Sequence, residues 1–317
     1  MFYALIESLR PRQWTKNFVV FGALFFVPGA LLYPALIGRA VLAFFLFSFA
    51  AGGGYLINDI RDREYDLRHP RKCRRPIASG RLSAGAAIGC AAALAIIVIA
   101  GGAYLDITPV TLPAAATPLR GPAFPFILTM IAYMLLATVY SMWLRKAPLL
   151  DVMALAGGFT LRAVAGAVAL KVIISPWLLL CTGLLALYLA LGKRRQELVR
   201  LGITSGAELG RDEPAARTAL SGYTIPLLDQ LLIIAASLNL MSYSLYTFSA
   251  SGHPDNRLML TIPFVVYGIF RYHSIIHNQD AGEAPDEVLF SDVPLAATIF
   301  LWAMSVTLLL FWPGFIK

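Results

Sequence analysis

The stretch of this sequence best equipped for chemistry is Asn58-Asp59-Ile60-Arg61-Asp62-Arg63-Glu64-Tyr65-Asp66. Asp59, Asp62 and Asp66 are spaced i, i+3 and i+7, so on a helix all three carboxylates project from one face. Three like charges repel one another, and a hard divalent cation removes the conflict. Mg2+ suits the position: it takes oxygen ligands, is held by only a few carboxylates, and completes its shell with water and substrate phosphate. Mn2+ is the alternative metal. The competing reading is a solvated acidic face neutralised by Arg61, Arg63 and Arg68. An amide (Asn58) beside the carboxylates and an apolar run directly before them favour the metal, with Asn58 orienting its shell.

A dense basic run follows at once, His69-Pro70-Arg71-Lys72-Cys73-Arg74-Arg75-Pro76. Beside an acidic cluster it suits a metal-complexed polyphosphate, with Lys72 and Arg75 on the free phosphate oxygens. Alone, it reads equally well as an anchor on anionic lipid. A second charged group, Lys193-Arg194-Arg195-Gln196-Glu197, opens another polar connection. Lys193 and Arg194 are candidate phosphate ligands there, and Glu197 is a lone carboxylate, although Lys193 and Glu197 also have the i, i+4 spacing of a surface ion pair. Near the N-terminus, Arg10-Pro11-Arg12-Gln13-Trp14-Thr15-Lys16-Asn17 reads either as an interfacial anchor or as a further phosphate site.

Arg162 lies about 20 Å of helical rise inside an apolar run. A charge at that depth faces a cavity or a partner. Asp151 shares nearly the same helical face but is three turns away, so a ligand anion or a cavity carboxylate is the expected partner of Arg162. His273 and His277 are spaced i, i+4 without a third metal ligand. Gly52-Gly53-Gly54 and Gly85-x-x-x-Gly89 read as small-residue helix contacts. No Walker, HExxH or dinucleotide-binding signature occurs.

These groups must be positioned by a membrane protein. The 317 residues are 58% hydrophobic and 14% charged, with mean hydropathy +0.71, whereas a soluble domain carries about 25% charged residues. Nine spans of roughly 20 apolar residues are expected: 18–37, 41–57, 83–105, 123–142, 149–170, 175–192, 223–248, 258–275 and 293–313. Twenty Lys and Arg fall on one side of these spans against five on the other. The N-terminus and the long connections 58–82 and 193–222 are therefore expected in the cytoplasm, and the C-terminus outside. Those connections follow spans two and six, the echo that duplication of a four-helix unit leaves, with a ninth helix appended. Such duplications place a site between the halves. Three cysteines with no CxxC pair exclude a disulfide scaffold and a structural zinc site. No cleavable signal peptide is visible. The formal charge of +8 points to anionic lipids and phosphorylated small molecules rather than nucleic acid.

The pattern Asn58-Asp59-x-x-Asp62-x-x-x-Asp66 after span two resembles the first aspartate-rich motif of the UbiA prenyltransferase superfamily. The resemblance covers essentially the whole chain. It implies an all-α integral membrane fold, a single domain over residues 1–317 whose cytoplasmic loops 58–82 and 193–222 cap a Mg2+-dependent site in the plasma membrane. The second motif departs from the family pattern, with Lys193-Arg194-x-x-Glu197 where another aspartate-rich sequence is usual. Further stretches are similar to one branch that uses phosphoribosyl pyrophosphate and a polyprenyl phosphate. They are Arg10 through Asn17, His69-Pro70-x-Lys72-x-x-Arg75-Pro76-Ile77-Ala78-Ser79-Gly80, Tyr140-Ser141, Asp151 through Arg162-Ala163-x-Ala165-Gly166, and Lys193-Arg194-Arg195-x-Glu197-Leu198.

That resemblance implies transfer of 5-phosphoribose to a decaprenyl-type phosphate with release of pyrophosphate, toward an arabinose donor for cell-wall arabinan. Asp59, Asp62, Asp66 and Glu197 are then the catalytic carboxylates, the three aspartates holding the metal and Glu197 reaching the metal or a ribose hydroxyl. Lys72, Arg75, Lys193 and Arg194 share the donor phosphates, Lys16 and Arg162 meet the lipid phosphate, and Asn17, Asn58 and Tyr140 complete the substrate contacts. A homo-oligomer is compatible with this reading. Two alternatives stand beside it: a UbiA-type enzyme joining a prenyl diphosphate to an aromatic or quinone precursor, and a transporter for an organic phosphate.

Overall fold

The computed structural model describes residues 2–25, 30–68, 72–110, 125–208, 215–249, 256–278, 288 and 291–311. His69, Pro70 and Arg71 of the basic run lie outside them. The described residues are mainly helical, and Ser205 and Thr224 form an isolated antiparallel bridge. In lipid a backbone must satisfy its own polar groups, which helices do within one segment. The α-helices are α1 (Phe2–Leu9), α2 (Gly22–Phe25), α3 (Pro34–Arg61), α4 (Arg63–Arg68), α5 (Ala84–Ile107), α6 (Phe126–Met142), α7 (Leu150–Ala169), α8 (Pro176–Arg200), α9 (Ile225–Ser249), α10 (Ile262–Asn278) and α11 (Val293–Phe311).

Among the described residues, six helical segments are long and apolar enough to cross a membrane: α3, α5, α7, α8, α9 and the stretch Arg257–His277. Two shorter apolar helices, Phe126–Met142 and Val293–Leu309, fall at expected spans four and nine. Expected span one is not a single helix. Its described residues divide among a 3-10 segment (Pro11–Phe21), α2, a 3-10 turn (Ala30–Leu32) and the start of α3. Pro34 is the reason: it has no N–H to continue a helix but is preorganised to begin one.

Two helices outrun their apolar sequence. α3 is 28 residues long, about 42 Å of rise, so it extends beyond a hydrocarbon core of about 30 Å and carries Asn58 and Asp59 on its last turns. α8, capped by Ser175, which accepts from Leu178 N–H, continues to Arg200. Lys193 through Glu197 therefore sit on rigid helix, not on a loop. Asp106, expected in an outside loop, instead ends α5 and accepts from the Phe126 N–H at 2.6 Å, capping α6.

The chain divides into two compact units, residues 1–137 with 161–174, and residues 138–160 with 175–317. The expected four-helix halves separate between spans four and five, whereas the observed division cuts through α6 and α7. The first unit is packed around Leu46, Phe47, Phe126 and Ala165, with a second cluster of Leu56, Ile77 and Leu82 under α1 and a third around Leu36 and Leu170. The second unit is packed around Tyr188, Leu198, Tyr223, Leu228, Leu232 and Tyr272. Ile88, Ile96 and Ile99 on α5, and Ile233, Leu238 and Met241 on α9, stay exposed. Water would penalise such faces and lipid does not.

Candidate active site

In the first unit the acidic motif is organised by arginines. Arg10, between α1 and the 3-10 segment, adopts the left-handed conformation (φ 52°). Its guanidinium lies 4.8 Å from the Tyr55 ring centre and donates to Asp59 Oδ1 at 2.6 Å. Arg75 Nη1 donates both to Asp59 Oδ1 (3.0 Å) and to Asp66 Oδ2 (2.7 Å). One guanidinium thus joins two carboxylates whose side chains are only 4% and 2% exposed. Asp62 does not join them. α3 stops at this residue (φ −90°, ψ 7°), and its carboxylate, 31% exposed, meets Arg61 Nε at 3.4 Å. Arg75 therefore links two of the three carboxylates, and Asp62, at the break between α3 and α4, is left apart from that pair. Asn58, half-buried, accepts the Asp62 N–H through its carbonyl at 2.9 Å. The Lys72 ammonium lies 5.5 Å from the Tyr65 ring centre.

Asp66 Oδ1 is buried without a hydrogen-bond partner among the described residues. A buried acceptor left unsatisfied costs about 1–3 kcal/mol, so something is expected to meet it in the working protein. Mg2+ asks for one or two carboxylates, taking water and phosphate for the rest. Asp59 and Asp66, gathered at one guanidinium with an oxygen to spare and Asp62 close in sequence, fit that demand. Among the described residues no three His, Cys, Asp or Glu side chains form a complete cage.

Also in the first unit, Arg162 is 7% exposed. Its Nε donates to Asn17 Oδ1 at 2.7 Å and its Nη2 to the Tyr133 hydroxyl at 3.0 Å. The guanidinium lies 5.1 Å from the Tyr133 ring centre and 5.9 Å from that of Phe47. Asn17 in turn donates to Ser48 Oγ at 2.9 Å. An amide, a phenol and two ring faces thus lie against the cation. Lys16 is half-buried on the same 3-10 segment as Asn17.

Gly166 sets this arrangement. A Cβ there would lie 2.0 Å from the Val20 carbonyl oxygen; Gly166 is one turn beyond Arg162, and Val20 one turn beyond Asn17. Only a missing side chain lets the two backbones approach so closely. Gly166→Ala is expected to push the 3-10 segment off α7, costing about 1–3 kcal/mol and separating Asn17 from Arg162. Thermal unfolding in detergent checks this, and an unshifted transition contradicts it.

In the second unit the basic motif is built around buried Arg194. Its Nε donates to Asp151 Oδ2 at 2.7 Å and its Nη1 to Glu197 Oε2 at 2.5 Å. Tyr140 lies near enough to interact electrostatically with the same guanidinium. Asp151, fully buried in the first turn of α7, also accepts from the Tyr223 hydroxyl at 2.6 Å. That hydroxyl accepts the Leu149 N–H at 2.7 Å, where Leu149 takes a left-handed turn (φ 66°). Lys193 is exposed one residue before Arg194. Arg195 Nη1 and Gln196 Nε2 both donate to the Ile276 carbonyl in the last turn of α10, at 2.8 and 2.6 Å. Arg195 Nε also meets Asp229 at 2.6 Å. The end of α8 is thereby clamped. His277 contacts Asp229 at 3.1 Å, and His273 contacts the Tyr188 hydroxyl at 3.2 Å.

The structure thus gathers Asp59, Asp66 and Arg75 in the first unit and joins Asn17 to Arg162 there. In the second it gathers Tyr140, Arg194 and Glu197. The sequence alone gives no role to Tyr133 or Tyr223; it offers Arg10 only as part of an anchor or phosphate stretch, and Asp151 only as a distant neighbour of Arg162. Asp151 carried a usable signal, since a lone acid on an apolar helix needs a partner, but that partner is 43 residues away. Tyr223 carried none.

Residues 17–291 match the model of the UbiA prenyltransferase family. The chain is 33% identical over 309 residues to the decaprenyl-phosphate phosphoribosyltransferase of Corynebacterium glutamicum, covering 96% of this chain and 86% of that one. It is 30% identical over 306 residues to the Mycobacterium tuberculosis protein of the same name (strain H37Rv), covering 95% and 92%. Among solved structures it is similar to a UbiA homolog from Archaeoglobus fulgidus bound to GPP and Mg2+. The TM-score is 0.66 at 16% identity, over 97% of this chain and 99% of that one, a likeness of fold. The family match spans most of the sequence and the relatives cover nearly all of it: the chain belongs to the UbiA prenyltransferase family.

Proposed function

We propose that the chain is a phosphoribosyltransferase that moves 5-phosphoribose from phosphoribosyl pyrophosphate to a polyprenyl phosphate of the decaprenyl type. The observation that carries this reading is Lys193-Arg194-Arg195-Gln196-Glu197 on rigid α8, where the family resemblance leads one to expect a second set of aspartates. A donor with a phosphate besides its diphosphate needs more cations than a prenyl diphosphate does. The names borne by the Corynebacterium and Mycobacterium relatives support the same donor and acceptor.

In this proposal Asp59, Asp62 and Asp66 hold Mg2+, with Mn2+ as the alternative. The bound cation supplies neutralisation of the charge that develops on pyrophosphate. Arg75 and Lys72 take free phosphate oxygens of the donor. Lys16 meets the lipid phosphate, and Arg162 keeps its segment in place through Asn17. The bond from the ribose anomeric carbon to pyrophosphate oxygen breaks, its electron pair leaving with pyrophosphate. A lipid phosphate oxygen forms the new bond from the opposite face, inverting that carbon. The acceptor is already an anion, so no general base is required, and catalysis is mostly positioning and charge stabilisation. The N-terminus and the active-site segments are placed on the cytoplasmic side of the plasma membrane, and the C-terminus outside.

Pyrophosphate release by the purified protein in detergent tests this. It is expected only when phosphoribosyl pyrophosphate, polyprenyl phosphate and Mg2+ are all present. Release from geranyl diphosphate with an aromatic acceptor, and none from the pentosyl donor, would overturn the donor assignment.

A further inference from the structure

We infer that Glu197 is the donor-specificity residue of this chain, its carboxylate accepting hydrogen bonds from the hydroxyls of the pentose ring, with Tyr223, Asp151 and Arg194 as the positioning residues that hold it. The inference rests on the donor proposed above and deepens it. The four side chains form one continuous chain of hydrogen bonds from the Leu149 backbone: Tyr223 to Asp151 Oδ1, Asp151 Oδ2 to Arg194 Nε, Arg194 Nη1 to Glu197 Oε2. Exposure rises along it, the side chains being 0% exposed at Asp151, 10% at Arg194 and 29% at Glu197. The accessible end is therefore the carboxylate, and the guanidinium stands behind it.

Charge leads to the same assignment. One guanidinium lies between two carboxylates, so the charge of Arg194 is answered within the group. Arg194, read from sequence as a phosphate ligand, is spent on fixing Glu197. Both oxygens of Asp151 are used, whereas Glu197 Oε1 has no hydrogen bond among the described residues. An ionised carboxylate only accepts hydrogen bonds, so what meets Oε1 must be a donor or a cation. A pentosyl donor brings two ring hydroxyls, and a prenyl diphosphate brings none. Held by arginine on a helix that is itself clamped to α10, the carboxylate is preorganised for that contact, and hydrogen bonds to charged acceptors are the stronger class.

The test compares transfer from phosphoribosyl pyrophosphate with transfer from its 2-deoxy and 3-deoxy analogues. The wild-type protein is expected to prefer the full donor over at least one analogue by about 10- to 100-fold in kcat/KM. Glu197→Ala should bring that preference to within about twofold, and Glu197→Gln should restore part of it, since an amide oxygen still accepts. Tyr223→Phe, remote from the donor, should weaken the preference while leaving the Mg2+ concentration for half-maximal rate unchanged. A preference in Glu197→Ala and Glu197→Gln equal to wild type would overturn the inference. So would an unchanged preference accompanied by a raised Mg2+ requirement, which would make Glu197 a metal ligand. A wild-type protein that transfers nothing from the full donor would instead refute the donor reading on which the inference stands.

Discussion

Asp62→Ala is expected to lower turnover about 1,000-fold while leaving the protein as stable as wild type, and Asp59→Ala to lower both. The difference follows from the break between α3 and α4. Asp62 has an exposed carboxylate whose ion pair is with its own neighbour at 3.4 Å, and such contacts contribute little to stability. Its loss removes a proposed metal contact only, and metal stabilisation of developing charge amounts to several kcal/mol, which is about a thousandfold in rate. Asp59 is buried and receives both Arg10 and Arg75. Its removal takes from Arg10 its carboxylate partner and leaves Arg75 with Asp66. Breaking a buried pair costs about 3–5 kcal/mol, and these arginines are about a quarter exposed, so about 2 kcal/mol is the expected loss. Asp59→Asn keeps the shape and an accepting oxygen, and isolates the effect of charge. Initial rates alongside thermal unfolding in the same detergent separate the two. Full activity in Asp62→Ala would remove this residue from the metal set, and full activity in Asp59→Asn would refute the metal site altogether.

The largest stability effect is expected at Asp151. The carboxylate is fully buried, and its partner Arg194 is 10% exposed. Asp151→Ala leaves a buried guanidinium with Glu197 as its one carboxylate and strands the Tyr223 hydroxyl, for an expected loss of about 3–5 kcal/mol. Replacing both partners by apolar residues, Asp151→Leu with Arg194→Met, should recover most of that stability, because an apolar pair of similar volume needs no desolvation of charge. Donor preference should stay low in the double variant, because nothing then holds Glu197. Thermal unfolding and the deoxy-donor comparison read these separately. A double variant that regains stability and preference together would show that the Asp151–Arg194 pair has no part in positioning Glu197.

How far the sequence disclosed this molecule depends on the property asked of it. Apolar runs report where lipid is, and they placed α5, α7 and α9 within a few residues. They do not report where a helix ends, because charged residues leave lipid and remain helical. That is why hydropathy alone ends α3 and α8 too early and leaves Lys193–Glu197 outside the expected spans. Pro34, in plain view, marked the helix start that the hydropathy of expected span one concealed. At the acidic motif, spacing identified the residues but assumed an unbroken helix, and the turn at Asp62 divides them. The arginine contacts were not legible, because Arg75 reaches Asp66 over nine residues and Asp59 over sixteen, and pairing across a fold leaves no periodicity. Arg194 shows the same limit. As a basic residue in a basic run it reads as a phosphate ligand, and only the buried Asp151, 43 residues earlier, gives it another task.

The central claim is that a pentosyl phosphate moves onto a lipid phosphate. The most direct measurement incubates purified protein in detergent with Mg2+, polyprenyl phosphate and phosphoribosyl pyrophosphate labelled in the ribose, and follows label into the organic phase with EDTA as control. The account predicts lipid-soluble label that depends on both the acceptor and the metal. Label that stays in the aqueous phase, with protein folded and lipid verified, would contradict it.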